Sequence, residues 1–312
     1  MKALVTGGAG FIGSHLASRL LGDGHEVRVL DNFSTGARAN LTPLGDSVEL
    51  VEGDIQSYER AHNAVQGCEV VFHQAALPSV PRSIQDPLTS HAVNVIGTLN
   101  ILLASRDSGV RRVVYASSSS IYGSDRTLPK QEDRAPMPIA PYAVAKLASE
   151  GFCRSFSEVY GLETVALRYF NVFGPGQDPL SQYAAVIPRF ITALIERESP
   201  VVYGDGEQSR DFTYIDNVIA ANLLAAEAEG ASGKTFNIAC GDRISLNHLL
   251  EQLRGIIGTD VQAAHLEPRP GDVKHSLADI TRAREQLGYE PSVDFDTGLR
   301  RTVEHHLSAA KA

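Results

Sequence analysis

Hydrophobic and polar positions alternate along the first half of the chain in blocks that predict strands and helices in turn. Six short apolar runs predict strands, at residues 2–6, 27–31, 48–51, 70–73, 113–116 and 164–167. Amphipathic stretches lie between them, such as the one that carries Ile12, Leu16 and Leu20 on one helix face. This alternation predicts an α/β fold with a Rossmann-type, doubly wound parallel sheet, whose ligands bind at the carboxyl ends of the strands.

Three further segments complete the predicted elements of this half. The stretch 78–87 is rich in Pro and Ser and predicts a loop. Apolar residues at helical spacing then predict one long helix that ends at Gly109. Another helix is predicted from about Pro141 to Tyr160.

The alternation weakens after residue 173, where loops and short strands separate the remaining helical stretches. We therefore predict a smaller C-terminal substrate-binding domain beside the Rossmann-type domain. The cleft between them is the expected active site. The predicted boundaries are 1–173 for the first domain and 174–312 for the second, with returns to the first near 211–218 and 234–240.

A glycine-rich turn follows the first strand, with Gly8, Gly10 and Gly13 in the pattern G-x-G-x-x-G. Such glycines let the backbone turn tightly beside a pyrophosphate, and the N-terminus of the next helix favours an anion. Asp31 ends the second strand, where a carboxylate can hydrogen-bond a ribose diol. The unit predicts a dinucleotide site. Asp31 repels a 2′-phosphate and favours NAD, while Arg38 nearby keeps NADP open.

Composition narrows the function classes. The 312 residues are 43% hydrophobic, enough for a large core in one or two domains. A net charge of −9 disfavours nucleic acid and anionic membranes as partners. The 3 cysteines include no C-x-x-C pair, so neither a disulfide framework nor a metal site is predicted. We find no signal peptide and no apolar run that approaches a membrane span, so a cytoplasmic protein is expected.

Tyr142 and Lys146 lie one turn apart on the helix predicted from Pro141, so both side chains share a face. A nearby ammonium lowers the pKa of a phenol, and a bound nicotinamide cation would lower it further. Tyr142 could then act as a general base near neutral pH. The serine run 117–120 ends the fifth strand, where a hydroxyl could orient or relay the same proton. Taken singly, these features also fit an amphipathic helix and a solvated turn.

Together, these motifs resemble the extended short-chain dehydrogenase/reductase family over essentially the whole chain. The residues that carry the resemblance are the glycine motif 6–13, the serine run and Tyr142-x-x-x-Lys146. The segments 167–174, 210–217 and 269–272 are similar to those of the UDP-hexose 4-epimerases and their nucleotide-sugar relatives. The resemblance implies tightly held NAD, a UDP-sugar substrate and a homodimer formed through helices within 87–108 and 141–160.

The resemblance also implies roles for individual residues. The catalytic positions are Ser118, Tyr142 and Lys146. The residues expected to contact NAD are Gly7, Gly10, Phe11, Ile12, Gly13, Asp31, Asn32, Asp54, Ile55, Ala75, Asn94, Tyr142 and Lys146. Those expected to bind the UDP-sugar are Ser118, Ser119, Asn171, Ala185, Val186, Tyr203, Arg210, Arg269, Asp272 and Ser276. Arginines at two of these positions would hold the diphosphate, as an acidic protein requires.

The same family includes 4,6-dehydratases and decarboxylases, which carry carboxylates at the strand end where this chain has Ser118 to Ser120. Without an acid there, the expected reaction is 4-epimerisation, in which Tyr142 takes the O4 proton while C4 gives a hydride to NAD. Hydride then returns to the opposite face of the 4-keto sugar. The open alternatives are a 4,6-dehydratase, a UDP-glucuronate epimerase and a non-catalytic NAD-binding protein.

Ser276 stands where some epimerases carry a large tyrosine that excludes N-acetyl groups. A serine leaves room, so the predicted reaction is interconversion of UDP-GlcNAc and UDP-GalNAc, with UDP-glucose and UDP-galactose also accepted. Ser119 and the segments 177–179 and 183–185 resemble the same branch, whereas Pro78 departs from it. An enzyme restricted to UDP-glucose stays open, and a plain loop serine is the structural alternative for Ser276.

Overall fold

A computed structural model describes residues 1–179, 185–267 and 274–309. Its strands are β1 (Lys2–Thr6), β2 (Glu26–Asp31), β3 (Val48–Glu52), β4 (Val70–His73), β5 (Arg112–Ser118), β6 (Glu163–Tyr169), β7 (Val172–Phe173), β8 (Val201–Tyr203), β9 (Ser209–Arg210), β10 (Thr213–Tyr214), β11 (Lys234–Ile238), β12 (Ile244–Ser245) and β13 (Ala264–Leu266). Seven of them form one parallel sheet in the order β11-β6-β5-β4-β1-β2-β3. The predicted doubly wound parallel sheet is confirmed.

The helices are α1 (Phe11–Gly22), α2 (Tyr58–Val65), α3 (Val80–Gln85), α4 (Pro87–His91), α5 (Thr98–Asp107), α6 (Pro141–Tyr160), α7 (Val186–Ile195), α8 (Ile215–Glu227), α9 (Leu246–Ile257), α10 (Thr281–Leu287) and α11 (Phe295–Ala309). Helices α2, α5 and α6 pack together on one face of the sheet, and α1 and α8 pack together on the other. Each face therefore buries its own apolar cluster.

Two predictions for the stretch after β4 are wrong. The segment 78–87 is not a loop throughout, because α3 begins after Ser79, whose hydroxyl accepts a hydrogen bond from the Arg82 N–H at 3.1 Å. The long helix predicted to end at Gly109 is divided, because a π-helical turn, Ala92–Gly97, separates α4 from α5. Such turns are frequent at functional sites.

The glycine-rich turn brings β1 and α1 into close contact. A Cβ on Gly13 would lie 2.1 Å from the Gly7 carbonyl oxygen, so any larger residue would push the helix away from the strand. Gly7 has a φ of +68°, and a Cβ there would lie 2.7 Å from the Ala75 nitrogen. The local sequence therefore sets the distance between the strand and the helix N-terminus.

The later part of the chain contributes smaller units and one strand of the main sheet. Three two-stranded pairs form, β10 with β7, β12 with β9, and β13 with β8. Helices α7, α9 and α11 pack against one another beside them. Strand β11 pairs with β6 in the main sheet, in the region where a return of the chain is predicted. The division into two domains at residue 173 stays a prediction.

The helical run Pro87–Asp107 is long and apolar enough to cross a membrane by length and composition alone. One such helix is weak evidence for a membrane span. Of its most apolar window, 56% is buried inside the protein, and the core helix of a soluble protein passes the same test. A cytoplasmic location stays a prediction.

Candidate active site

The residues predicted to contact the adenosine end of NAD follow β1, β2 and β3 at the same edge of the sheet. The Asp31 carboxylate is buried and accepts hydrogen bonds from the Ala9 N–H at 2.9 Å and the Phe33 N–H at 2.8 Å. Next to it, Asn32 Nδ2 donates to Asp54 Oδ2 at 2.8 Å. The glycine-rich turn and the ends of the two neighbouring strands are thus tied together by polar side chains.

A second group of predicted NAD residues lies across β4 and the π-helical turn. The N–H of Ala75, just after β4, donates to Thr6 Oγ1 at 3.2 Å. Asn94 is buried, and its carbonyl accepts a hydrogen bond from Ser149 Oγ of α6 at 2.8 Å. Ile55 is buried against Gly97 at the end of the same turn. These contacts connect the glycine side of the site to the helix that carries Tyr142.

The residues present fit a dinucleotide. Gly10 precedes α1, and no side chain caps the first N–H groups of this helix. Phe11 and Ile12 form its first turn. An uncapped helix N-terminus beside a glycine turn is the arrangement that binds a pyrophosphate. The Asp31 carboxylate, held against the same turn, is placed to accept hydrogen bonds from a ribose.

The three predicted catalytic residues come together at the end of β5. Ser118 is the last residue of that strand, and its hydroxyl lies near enough to the phenol of Tyr142, in the first turn of α6, to influence the pKa of that phenol. Lys146 is buried one turn further along, with Nζ 5.9 Å from the centre of the Tyr142 ring. Nζ donates to the Ala116 carbonyl of β5 at 2.7 Å, which ties α6 to the strand.

In the protein alone, burial is the main influence on the pKa values of Tyr142 and Lys146. It raises the pKa of Tyr142 to about 12, although the nearby Ser118 hydroxyl pulls that pKa down in part. Burial also lowers the pKa of Lys146 from 10.5 to about 8. The predicted lowering of the Tyr142 pKa by Lys146 is therefore wrong for the protein alone, because burial raises that pKa and the ammonium donates to a backbone carbonyl instead. The effect of a bound nicotinamide stays a prediction.

A buried polar network beneath the serine run is absent from the sequence-based predictions. Ser117 Oγ donates to Glu150 Oε1 at 2.5 Å. Arg168 donates to both oxygens of the same carboxylate, at 2.9 and 2.7 Å, and its Nη1 donates to the Tyr122 hydroxyl at 2.9 Å. The sequence contains one indication of this network, because Glu150 lies one helical turn after Lys146 on α6 and so shares its buried face. The network holds β5, α6 and β6 together under the catalytic residues.

A cavity of about 280 Å³ contains five of the predicted substrate residues. These are Asn171, Ala185, Val186, Tyr203 and Arg210. The other lining residues, which the sequence did not indicate, are Val172, Phe173, Ile187, Arg189, Val201, Gln208, Phe212 and Leu246. The cavity lies beyond the end of β6 and combines one apolar wall with arginine, amide and phenol groups.

The other predicted substrate residues that the structure describes do not line this cavity. Ser119 begins a 3₁₀ turn, Ser119–Tyr122, that follows β5. The Ser276 N–H donates to the Ser209 carbonyl at 3.0 Å, which places it beside Arg210 but off the cavity wall. Arg269 and Asp272 lie outside the described residues. A larger surface depression of about 400 Å³, to which Ser209 and His275 contribute, contains none of the predicted site residues.

Comparison with known proteins gives consistent matches over the whole chain. The profile of the NAD dependent epimerase/dehydratase family matches residues 3–239. A UDP-glucose 4-epimerase of Mycolicibacterium smegmatis is 39% identical over 308 residues, 97% of this chain and 98% of that protein.

Two solved structures are similar throughout. The UDP-N-acetylglucosamine 4-epimerase of Methanobrevibacter ruminantium M1, in complex with UDP-N-acetylmuramic acid, has a TM-score of 0.94 and 41% identity, over 99% of this chain and 98% of that chain. The UDP-glucose 4-epimerase of Thermotoga maritima, with UDP-glucose, has a TM-score of 0.95 and 38% identity, over 99% of this chain and 100% of that chain.

Proposed function

Since the chain belongs to the NAD dependent epimerase/dehydratase family, as an isomerase with NAD as its cofactor, we propose that it is a 4-epimerase of UDP-hexoses. The observation that carries the proposal is the gathering of Ser118, Tyr142 and Lys146 at the end of β5. The similar enzymes described above are named for UDP-glucose and UDP-N-acetylglucosamine, which supports a UDP-sugar as substrate.

The glycine turn, Asp31 and Asn94 would hold NAD at the carboxyl edge of the sheet. When bound, NAD supplies reversible hydride transfer at C4 of the sugar. Asp31 accepts hydrogen bonds from ribose hydroxyls, and the N–H groups that begin α1 hold the diphosphate. Because the cofactor ends each cycle unchanged, a tightly held molecule serves many turnovers.

Tyr142 moves the proton at the sugar O4 in both directions. As a phenolate it takes the proton when the hydroxyl is oxidised, and as the resulting phenol it gives the proton back after the sugar has presented its other face. The Ser118 hydroxyl, which lies near the phenol, would orient it toward O4. Lys146 holds α6 against β5 through its hydrogen bond to the Ala116 carbonyl and thereby fixes the position of Tyr142. The pKa of Tyr142, about 12 in the protein alone, must fall when cofactor and substrate bind.

The residues around the serine run favour epimerisation over elimination of water or loss of CO₂. Positions 118 to 120 carry hydroxyls, and the carboxylate that contacts Ser117 belongs to Glu150. Glu150 is buried in a two-point ion pair with Arg168, so both of its carboxylate oxygens are engaged. It is therefore not free to protonate a leaving hydroxyl, which favours reduction of the ketone formed at C4 over elimination.

The cavity beyond β6 supplies the anchor that epimerisation requires. Arg210 and Tyr203 line the cavity, where Arg210 would bind the diphosphate and Tyr203 would pack against the uracil. Asn171 lies on the same wall, closest in sequence to the end of β6. With UDP held there, the keto sugar can turn over without leaving the protein, which keeps the second hydride transfer effectively intramolecular.

We further propose that the acetylated pair, UDP-GlcNAc and UDP-GalNAc, is turned over along with UDP-glucose and UDP-galactose. Ser276 supports this, because its small side chain follows a segment of predicted UDP contacts and its N–H is bonded beside Arg210. The 41% identity to an enzyme named for UDP-N-acetylglucosamine supports it as well. Restriction to UDP-glucose is the second candidate, supported by the relatives named for that substrate.

A second copy of the chain is the proposed partner. Helices α3, α4 and α6 contact one another. They expose large apolar side chains at Ile84, Leu88 and Val144, with 64%, 82% and 51% of their surface open. A two-fold pairing of these helices would cover that surface.

The proposal is tested by incubating the purified protein with UDP-GlcNAc, and separately with UDP-glucose, without added NAD. NMR of the anomeric and H4 protons separates the 4-epimers. We expect UDP-GalNAc and UDP-galactose to form until equilibrium. Formation of UDP-galactose alone contradicts the acetylated substrate but keeps the epimerase. A stable 4-keto product, or no change even with NAD supplied, contradicts the epimerase.

A further inference from the structure

Asp211 is a fully buried carboxylate next to the substrate cavity that is not itself a cavity residue. It lies between β9 and β10, and its chain neighbours on both sides, Arg210 and Phe212, line the cavity. Its own side chain points the other way, into the protein. A buried acid at this point is costly unless several donors surround it.

The donors are three backbone N–H groups from two distant segments. Asp211 Oδ1 accepts a hydrogen bond from the Cys240 N–H at 3.0 Å, and Oδ2 accepts one from the Gly241 N–H at 3.2 Å. Oδ2 also accepts from the Ala278 N–H at 3.1 Å. Cys240 and Gly241 follow β11 of the main sheet, while Ala278 lies two residues after Ser276. One carboxylate therefore joins β9, the sheet and the chain that carries Ser276.

The backbone of Asp211 adds a fourth connection. Its carbonyl accepts a hydrogen bond from Asn171 Nδ2 at 3.0 Å. Asn171 has a φ of +33°, an uncommon backbone conformation that Asn tolerates better than most residues. Its carbonyl accepts from the Thr213 N–H at 3.2 Å, so the β9–β10 segment holds Asn171 from two sides.

A carboxylate is the side chain that these donors require. It is an acceptor with two oxygens and several lone pairs, whereas an amide offers one accepting oxygen and two N–H donors. In Asp211→Asn, the amide NH₂ would face at least one backbone N–H. The β9–β10 segment would then separate from the end of β11 or from Ala278, and Arg210 would shift with it.

We propose that Asp211 is a positioning residue for UDP, which acts through Arg210 and Asn171 by cross-linking the segments that form the cavity. The inference rests on the proposed function, since it concerns the cavity assigned to UDP. It differs from a general stabilising role, because the NAD contacts at the ends of β1 to β4 share none of these hydrogen bonds.

The test compares Asp211→Asn with Glu132→Gln in the NAD-containing enzyme. Glu132 is a matched control, since its side chain is 5% exposed and accepts a backbone N–H from β11, that of Asn237, at 2.8 Å. Calorimetric titration with UDP gives the Kd without chemistry. Absorbance gives the NAD content, and turnover of UDP-glucose gives KM and kcat separately.

We expect Asp211→Asn to raise the Kd of UDP and the KM on the order of tenfold or more, the effect of one lost hydrogen-bonded contact to a charged group. NAD content stays at the wild-type level and kcat changes less than KM. We expect Glu132→Gln to keep the wild-type Kd for UDP, even if its melting temperature falls as much as that of Asp211→Asn.

An unchanged Kd in Asp211→Asn overturns the inference, and so does an equal loss of UDP affinity in both variants. A wild-type protein that binds no UDP overturns the proposed function and this inference with it. If Asp211→Asn does not fold, Asp211→Glu replaces it in the same comparison, because it keeps the acceptors but displaces them.

Discussion

The ammonium of Lys146 donates to the Ala116 carbonyl at 2.7 Å and stays 5.9 Å from the centre of the Tyr142 ring. Its charge is thus buried against a neutral acceptor. The resulting fall of the Lys146 pKa from 10.5 to about 8 corresponds to a cost of about 3 kcal/mol in the free energy of unfolding at neutral pH. The protein keeps this cost at a residue that we place in the catalytic machinery.

Lys146→Met is therefore expected to stabilise the fold while removing activity. The native state holds the Lys146 proton less tightly than the unfolded state, so its cost is present in full below about pH 8 and fades as the pH rises toward 10.5. The substitution also removes the hydrogen bond to Ala116, which offsets part of the benefit. We therefore expect the free energy of unfolding to rise by about 1–3 kcal/mol near pH 7. Denaturant unfolding at pH 7 and pH 10 measures it.

The matched control for that measurement is Lys234→Met, since Lys234 is an exposed lysine at the start of β11. Its substitution is expected to leave the free energy of unfolding nearly unchanged at both pH values. A Lys146→Met protein that is less stable than wild type at pH 7, or equally altered at both pH values, contradicts the buried-charge account.

Tyr142→Phe is expected to lower kcat on the order of 100- to 10,000-fold, because it removes the group that moves the O4 proton. UDP affinity is expected to stay unchanged, since Tyr142 is not among the residues predicted to bind UDP. Tyr160→Phe at the exposed end of the same helix is the control. Steady-state rates within a few-fold of wild type for Tyr142→Phe would refute the assigned role.

Ser276→Tyr is expected to abolish turnover of UDP-GlcNAc and to spare UDP-glucose, because a large ring would fill the space that the N-acetyl group needs. The measurement is the ratio of kcat/KM for the two sugars, which cancels any general loss of folding. An equal loss on both substrates means that residue 276 does not discriminate between them.

Leu88→Glu combined with Val144→Glu is expected to convert a dimer to a monomer, because it places charges on the surface proposed to pair. Light scattering after gel filtration gives the mass. Leu266→Glu, at a residue that is 50% exposed on β13, is the control and should stay dimeric. A monomeric wild type, or a double variant that remains dimeric, contradicts the proposed partner surface.

The main sheet could be predicted because local patterns determine its parts. The six predicted strands all form, since each is a short apolar run, and the tight packing of Gly13 against Gly7 follows from the glycine motif. The division of the long helix could not be predicted, because the spacing of apolar residues hardly changes when a π-helical turn replaces an α-helical one. Tertiary contacts of Asn94 with Leu77 and Ser149 accompany that turn.

The site could be predicted only where one segment supplies the chemistry. Tyr142 and Lys146 share a helix, so their proximity follows from their spacing. The pKa of Tyr142 could not be predicted in this way, because it depends on burial by segments that are remote in sequence. For the same reason the role of Asp211 could not be predicted from the sequence, since its partners Cys240 and Ala278 lie 29 and 67 residues away.

The most direct test of the central claim uses UDP-glucose labelled with deuterium at C4 of the sugar, in ordinary water and without added NAD. The claim is that Tyr142 moves only the O4 proton, while the hydrogen on C4 leaves and returns within the closed site. NMR and mass spectrometry are therefore expected to find UDP-galactose that retains its deuterium at C4. Replacement of that deuterium by solvent hydrogen would contradict the account, because it would require proton exchange at the carbon.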